Sequence, residues 1–427
     1  MHLEACEGGR VRYACVTPFT TAVKAASPLL MTSPTVGVVR SPGFWDSLVE
    51  RYSARFAGRP SKVKAYRELL ASGAMDEASA AYAARRLVLA PPRRLLINRS
   101  GGRRKTVYLF PPREDLFLKG VNHALQLMPA LHSPLCHSFQ RGRGVRSAYA
   151  AIRQVADLDD LSCLHVDIRD YFASIPVDRL LESLPLRLAQ DEALVKLLHD
   201  MLSDDSRGVL AGTPLAPLLS NLYLRPLDDM FESSHVPYLR YADDLLVFDQ
   251  PKSILTHHEA IAKRLFELGL EINERKLRLS SPGQAWEFLG LRNDHGRVDL
   301  ATTTVSKMHH RVRRLSRRAR EHRDPARYVI RRLNRKLFGF GADTSAFTWA
   351  TWFFPLLNSD VRLRRLDHLV QEQLRFAVTG RHERRNRGAM PYAQLAARGY
   401  LPLVTAFRAY RRGPGDYERM LDRRMGG

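Results

Sequence analysis

Cysteine is scarce in this sequence. Cys6, Cys15, Cys136 and Cys163 are the four among 427 residues, and no two share a CxxC spacing. A structural zinc site needs closely paired thiolates or imidazoles, and a disulfide framework needs a dense set, so neither is indicated. A reducing compartment is the simple expectation. Long apolar runs are missing as well: no stretch approaches the roughly 20 residues that span a bilayer, and no charged-then-apolar signal pattern opens the chain. The expectation is a soluble, cytoplasmic chain with no membrane partner. The third shortage is of acid. Asp and Glu number 44 against 67 Lys and Arg, a net charge of +23. That balance points to a polyanionic partner, since phosphates are the usual surface such charge neutralises, although an Arg-rich coding bias produces the same composition.

What is present is ordinary globular material, 45% hydrophobic and 26% charged, with ample apolar residues for a core. The length suits two or three domains or one large lobed enzyme. The basic surplus is uneven. From residue 301 onward 28 Lys and Arg face 10 Asp and Glu, so +18 of the +23 lies in the last 127 residues. Within that part, Ser306 to His322 places Met308, Val312, Leu315 and Ala319 on one helical face, with Arg311, Arg313, Arg314, Arg317, Arg318 and Arg320 on much of the rest. Residues 1–42 are rich in Thr, Ser, Pro and small residues without periodicity and are expected to be weakly ordered, with Met31 a candidate start.

Between these ends the pattern mixes element types. Helical signals run from 44 to 88 and from Asp115 to Met128. Leu95 to Ile97 and Thr106 to Phe110, around Gly101-Gly102, read as a hairpin with a basic tip. Leu161 to Ile168 reads as a buried strand. Tyr238 to Tyr241 and Leu245 to Phe248 read as two strands joined by a tight turn, with helices near 177–202 and 215–232 before them. The class is α+β. His257-His258 and His309-His310 lie in polar helices and read as exposed.

Two carboxylates, Asp243 and Asp244, sit in that turn. Adjacent acids between buried strands repel unless a cation neutralises them, and Mg²⁺ prefers such oxygen ligands; alone, an exposed Asp-Asp turn is the commoner occurrence. Asp167 ends the apolar strand before Ile168. Acids at the ends of neighbouring strands, brought to one point, are what two-metal phosphoryl transfer requires.

The segments Asp167-Ile-Arg-Asp-Tyr-Phe172, Gly212-Thr-Pro-Leu-Ala-Pro-Leu-Leu-Ser-Asn221, Tyr241-Ala-Asp-Asp244, Leu268-Gly-Leu-Glu-Ile-Asn-Glu-Arg-Lys276 and Phe288-Leu-Gly290 follow in that order. This series resembles the palm motifs of reverse transcriptases, in the style of the bacterial group II intron, retron and defence-associated branches, over about residues 93–298. The resemblance implies a right-hand polymerase: an N-terminal extension (1–60), fingers (61–162), a palm with interleaved fingers elements (163–298) and a basic helical thumb and C-terminal region (299–427). It implies two Mg²⁺ ions, with Mn²⁺ a possible substitute, on Asp167, Asp243, Asp244 and the Ile168 carbonyl. Phe172 would exclude a 2′-hydroxyl, with Tyr171 beside it, and Gly212 and Pro214 would border the nascent base pair. Arg104 or Lys105 would clamp the triphosphate of a dNTP, and Lys276 would protonate pyrophosphate. Ser138-Phe-Gln-Arg141-Gly-Arg143-Gly144 is similar to a second fingers motif contacting nucleic-acid phosphates. Phe288, Leu289 and Gly290 would grip the primer, and Arg311, Arg314 and Arg318 would track the duplex.

The implied reaction copies an RNA template, expected to be a structured noncoding RNA, from a DNA or RNA primer, with a role in anti-phage defence. No Cys-rich or HNH-like nuclease pattern follows the thumb. Val378-Thr379-Gly380 is similar to a retron tripeptide but has no companion motif. An RNA-binding maturase-like protein, or a polymerase that is template-independent or primed on a protein hydroxyl such as Tyr392, Tyr400 or Tyr410, are the alternatives.

Overall fold

The computed structural model describes residues 33–55, 60–98, 104–202, 208–339, 348–383 and 385–425. Inside the segment expected to be weakly ordered, Pro34–Val39 forms a short helix, α1. Six residues are too few for a periodic signal, and a tertiary contact holds them. The fully buried Asp191 carboxylate accepts bonds from Ser33 Oγ (2.7 Å), Thr35 Oγ1 (2.6 Å) and the Thr35 N–H (3.2 Å). Helices α2 (Phe44–Arg55), α3 (Pro60–Ala71) and α4 (Ala74–Ala83) follow. Strands β1 (Arg93–Asn98) and β2 (Arg104–Leu109) then pair antiparallel, Arg93 opposite Leu109. The expected Gly101-Gly102 turn lies outside the described residues. Helix α5 (Pro112–Gln126) starts with proline in its first turn, where no intrahelical N–H is needed.

The central part opens with α6 (Val145–Ile152) and β3 (Ser162–Asp167). The helix expected over 177–202 is in fact a chain of short pieces after α7 (Tyr171–Ser174): α8 (Val177–Glu182), α9 (Leu186–Ala189) and α10 (Glu192–Leu202). Pro185 ends one piece, and Asp191 caps the next through the Leu194 N–H. The stretch 215–232 likewise divides into α11 (Ala216–Tyr223) and α12 (Arg225–Ser234), with Pro226 at the second start. Strands β4 (Tyr238–Tyr241) and β5 (Asp244–Asp249), helix α13 (Ile254–Glu267) and strand β6 (Arg278–Ser280) complete an antiparallel sheet of order β4-β5-β3-β6.

That sheet separates two cores. Leu164, Val166, Leu245 and Val247 face one core, shared with the N-terminal helices. Cys163, Leu246, Phe248 and Leu239 face the other, shared with the C-terminal helices. Burial on both faces is why these strands read as unbroken apolar runs. His257 departs from its expected exposure: it is half-buried, with Nε2 2.6 Å from Asp249 Oδ2.

A second sheet, β7 (Trp286–Phe288), β8 (Leu291–Asp294) and β9 (Arg297–Leu300), leads into the helical C-terminal lobe. There α14 (Thr302–Ala319), α15 (Pro325–Phe338), α16 (Trp349–Phe353) and α17 (Val361–Thr379) pack together. Helix α14 buries Val305, Met308, Val312 and Ala319 and exposes Arg311, Arg314 and Arg318, as its pattern predicts. Gly380 ends α17 in the left-handed region at φ +74°, a helix-capping task for the last residue of the Val-Thr-Gly tripeptide. Helices α18 (Asn386–Ala389), α19 (Tyr392–Ala397), α20 (Leu403–Arg412) and α21 (Pro414–Met425) close the chain. Tyr400 is buried, its hydroxyl 3.0 Å from Asp367 Oδ1, so this candidate priming hydroxyl is a core group. Among the described residues no helix is long and apolar enough to cross a membrane.

Under the central sheet lies a fully buried ion pair. Arg240 donates from Nε (2.7 Å) and Nη2 (2.6 Å) to the two oxygens of Asp228, and from Nη1 to Asn221 Oδ1 at 2.9 Å. Burial alone would lower the Arg240 pKa, but Asp228 holds it well above its ordinary value. Tyr238 adds its hydroxyl to Asp228 Oδ1 at 2.9 Å. Replacing Arg240 by Leu leaves the buried carboxylate without a counter-charge, at an expected cost of about 3–5 kcal/mol. Chemical denaturation should show it; a loss below about 1 kcal/mol would mean that the pair is not a keystone of the sheet.

Candidate active site

The β4–β5 hairpin reverses through a two-residue loop, Ala242-Asp243, because Tyr241 pairs with Asp244. Ala242 takes φ +60°, a conformation that glycine adopts freely and alanine does not. Its amide donates to Ser138 Oγ at 2.7 Å, and its carbonyl accepts from Arg240 Nη1 at 3.3 Å. Asn221 Nδ2 donates to the Ser138 carbonyl at 2.9 Å. The Asp243 carbonyl in turn accepts from the Ile168 N–H at 3.1 Å. A strained turn is thus held from three neighbouring segments.

Strand register then gathers the acids. Asp167 lies directly opposite Asp244. Both share a face with His165, whose Nε2 is 3.1 Å from Asp244 Oδ1. Asp167 is 2% exposed, with Asn273 Nδ2 2.8 Å from Oδ1 and Lys276 Nζ 2.5 Å from Oδ2. Burial, then the charges of Asp244 and Asp167, push the Asp243 carboxyl up to about 6. An acid so destabilised by burial and like charge is the environment that a hard dication relieves. Among the described residues no three His, Cys, Asp or Glu side chains form a closed metal cage. Mg²⁺ does not need one, because it keeps several waters and takes one or two carboxylates plus substrate phosphates. The donor set therefore fits Mg²⁺. Lys276, implied to act on pyrophosphate, rests here on a candidate metal ligand. Asn273, which sequence reasoning did not single out, binds Asp167 by side chain and by its N–H to the Asp167 carbonyl at 2.7 Å.

Beside the acids, Phe172 is half-buried, with Phe139 6.4 Å away between ring centroids. Lys105 Nζ lies 5.2 Å from the Phe172 centroid, while Arg104 is exposed. Strand alternation thus directs Lys105, not Arg104, to this spot. Tyr171 is not at the site surface: it is 3% exposed and donates to the Ser220 carbonyl at 2.7 Å, a correction to its pairing with the nucleotide. Phe139 was overlooked; it is 42% exposed and at φ +55°, and an aromatic beside Arg141 was the available signal. Gly212, at φ +102°, meets the β1–β2 hairpin: a Cβ there would collide with Val107 Cγ1 and lie 3.0 Å from the Tyr108 carbonyl. The Tyr108 N–H donates to the Ala211 carbonyl at 2.8 Å, so this loop docks the hairpin carrying Lys105. Pro214 follows in the same loop, half-buried.

The remaining expected contacts divide. Arg141 is exposed, whereas the Arg143 guanidinium also holds its own loop through the Pro134 and Cys136 carbonyls. The Phe288 ring is core, 1% exposed, and its carbonyl accepts from Tyr149 at 2.9 Å. Only the turn of Leu289 (φ +49°) and Gly290 (φ +82°) is left to present a surface.

Residues 116–293 match the family model described as reverse transcriptase (RNA-dependent DNA polymerase). This stretch is thus similar to a reverse transcriptase domain, and the chain around it mixes helix and sheet. A curated relative, the uncharacterized 91 kDa protein in cob intron of Schizosaccharomyces pombe, is 27% identical over 157 residues. That match covers 34% of this chain and 19% of the relative, so the chain spans about a fifth of the relative's length. Solved structures with a loose likeness include telomerase from Candida albicans with a fragment of telomeric RNA (10% identity, TM-score 0.38, 73% of this chain and 64% of that one). Apo telomerase from Candida tropicalis is another (14% identity, TM-score 0.40, 71% and 68%).

Two histidines beside this region make it acid-sensitive. Burial and then Arg143 lower His137 to about 4, and burial with Arg51 and Arg141 does the same for His123. Both stay neutral in the fold, so below about pH 6.5 the unfolded chain binds more protons. The stability they contribute is complete above pH 6.5 and is lost as pH falls towards 4. The melting temperature is expected to drop between pH 6.5 and 5, before ordinary carboxylates titrate, and His137→Gln to flatten that slope. An equal slope in wild type and variant would refute the role of His137.

Proposed function

We propose that this chain is an RNA-directed DNA polymerase that adds deoxynucleotides to a primer 3′ end and releases pyrophosphate. The observation that carries the reading is the acid face of the central sheet. Asp167 and Asp244 are paired across two strands, and Asp243 is raised by their charge at the tip of a braced turn. Asp167, Asp243, Asp244 and the Ile168 carbonyl would hold two Mg²⁺ ions, with Mn²⁺ as substitute. Bound there, the ions supply charge neutralisation for the attacking 3′-hydroxyl and the departing phosphate oxygens.

The chain's own side chains set the rest. Phe172 places an aromatic ring where a ribose 2′-hydroxyl would need room, favouring deoxynucleotides. Lys105, above that ring, offers an ammonium to the triphosphate, and the Gly212 loop fixes its hairpin. Lys276 holds a proton within 2.5 Å of Asp167 Oδ2, close enough to deliver it to a leaving phosphate once that carboxylate is engaged elsewhere. Arg311, Arg314 and Arg318 form an exposed stripe suited to duplex phosphates. In this reading residues 61–162 act as fingers, 163–298 as palm and 299–427 as thumb, and the template is a structured noncoding RNA copied in anti-phage defence. That last step rests on the motif resemblance and the basic C-terminal lobe. A cytoplasmic setting accords with the free, buried Cys136 and Cys163.

Primer extension on an RNA template tests the chemistry. Asp243→Asn is expected to cut incorporation by roughly a thousandfold or more while RNA affinity changes little. Wild-type binding without incorporation would favour the RNA-binding alternative. Phe172→Val should raise ribonucleotide insertion by roughly tenfold or more relative to deoxynucleotide insertion. Unchanged selectivity would remove Phe172 from the gate.

A further inference from the structure

Tyr241 begins the acid turn, one residue before the strained Ala242 and two before Asp243. The palm alone does not pack its ring. Trp352 of α16, in the C-terminal lobe, meets Tyr241 edge-on, with centroids 6.3 Å apart and planes at 87°. Both rings are half-buried, at the border between the lobes rather than inside either core. The next residue, Phe353, packs against the half-buried Leu289-Gly290 turn: a Cβ on Gly290 would lie 3.4 Å from its Cε1 and Cζ. One five-residue helix thus touches both the acid turn and the Leu289-Gly290 turn.

That helix is capped at its start and tied to the β7–β9 sheet beyond its end. At its start the Thr351 N–H donates to Thr348 Oγ1 (3.1 Å), and the Thr348 N–H donates to Thr351 Oγ1 (2.8 Å). Beyond its end Asn358 accepts from the Val298 N–H (2.7 Å) and donates to the Gly296 carbonyl (2.8 Å). Ser359 Oγ donates to Asp299 Oδ2 at 2.8 Å. Trp352 therefore projects from a fixed platform on the β7–β9 sheet.

We infer that Trp352 is a positioning residue for nucleotide addition, holding the Tyr241 ring so that the thumb's seating on a primer–template duplex sets the pose of the acid turn. An edge-to-face pair fixes ring orientation because the positive edge of one ring meets the negative face of the other. A tilt of Tyr241 passes into Ala242, whose backbone already occupies a narrow well, and so into Asp243. Trp352 bonds no reacting atom; it acts through Tyr241.

The inference rests on the polymerase reading, and the test separates the two. The full chain is assayed with a DNA primer on an RNA template, dNTPs and Mg²⁺, measuring single-turnover incorporation and duplex affinity independently. Trp352→Leu keeps apolar bulk and removes the ring. It is expected to slow incorporation roughly three- to tenfold with duplex affinity changed less than about twofold, and Trp352→Phe should recover most of the rate. In a Tyr241→Leu background the Trp352→Leu change should add nothing further. Incorporation unchanged in Trp352→Leu, rate and duplex affinity falling together, or full additivity with Tyr241→Leu would each overturn the inference while the polymerase reading stands. A wild-type chain that binds the duplex and never incorporates would overturn both.

Discussion

The guanidinium of Arg240 does two jobs at the centre of the molecule. It neutralises the fully buried Asp228, and it reaches the carbonyl of Ala242, two residues further along the chain. Ala242 sits at φ +60°, costing on the order of 1–2 kcal/mol for a residue with a Cβ. Bonds from Arg240 and Ser138 offset that cost and make the turn a single shape. Asp243 hangs from this turn, and its backbone carbonyl ties the turn to the β3 end at Ile168. The acid site is rigid because its support is buried.

The same sheet explains why the acids face where they do. Successive side chains point to opposite faces, so Leu164 and Val166 fill one core while Cys163, His165 and Asp167 turn to the other side. That other side is shared with the C-terminal lobe. The net charge is arranged accordingly. The acids are few, central and crowded enough to raise Asp243, whereas the arginines of α14 are spread along an exposed face where water screens them.

Close approach between elements does the remaining positioning. Gly212 lets the β1–β2 hairpin rest on its own loop, which brings Lys105 over Phe172. Gly208 plays a related part, since a Cβ there would run into the backbone of Phe172 and Ala173, and the Val209 N–H donates to the Phe172 carbonyl at 2.7 Å. Two glycines, distant in sequence from the acids, thereby locate Phe172 and Lys105. The Gly290 turn and α16 do similar positioning on the side of the C-terminal lobe.

How much of this was legible beforehand follows from the range of the forces involved. Local signals were readable: the apolar runs of β3, β4 and β5, the acids at their ends, the amphipathic α14 and a motif order similar to that of reverse transcriptases. These depend on period and on neighbours within a turn or a strand. The side on which Lys105 rather than Arg104 points was not legible, because it depends on strand register. The core placement of Tyr171 and Tyr400 was not legible either, because a tyrosine's partners, here the Ser220 carbonyl and Asp367, come from distant segments. Helix α1 escaped notice for the same reason, since Asp191, 156 residues away from Thr35, holds it. The sequence by itself determined the chemistry available at the site, through residue type and order. Only the tertiary structure decided which side chains meet, because burial, register and close backbone approach are properties of segments brought together from far apart.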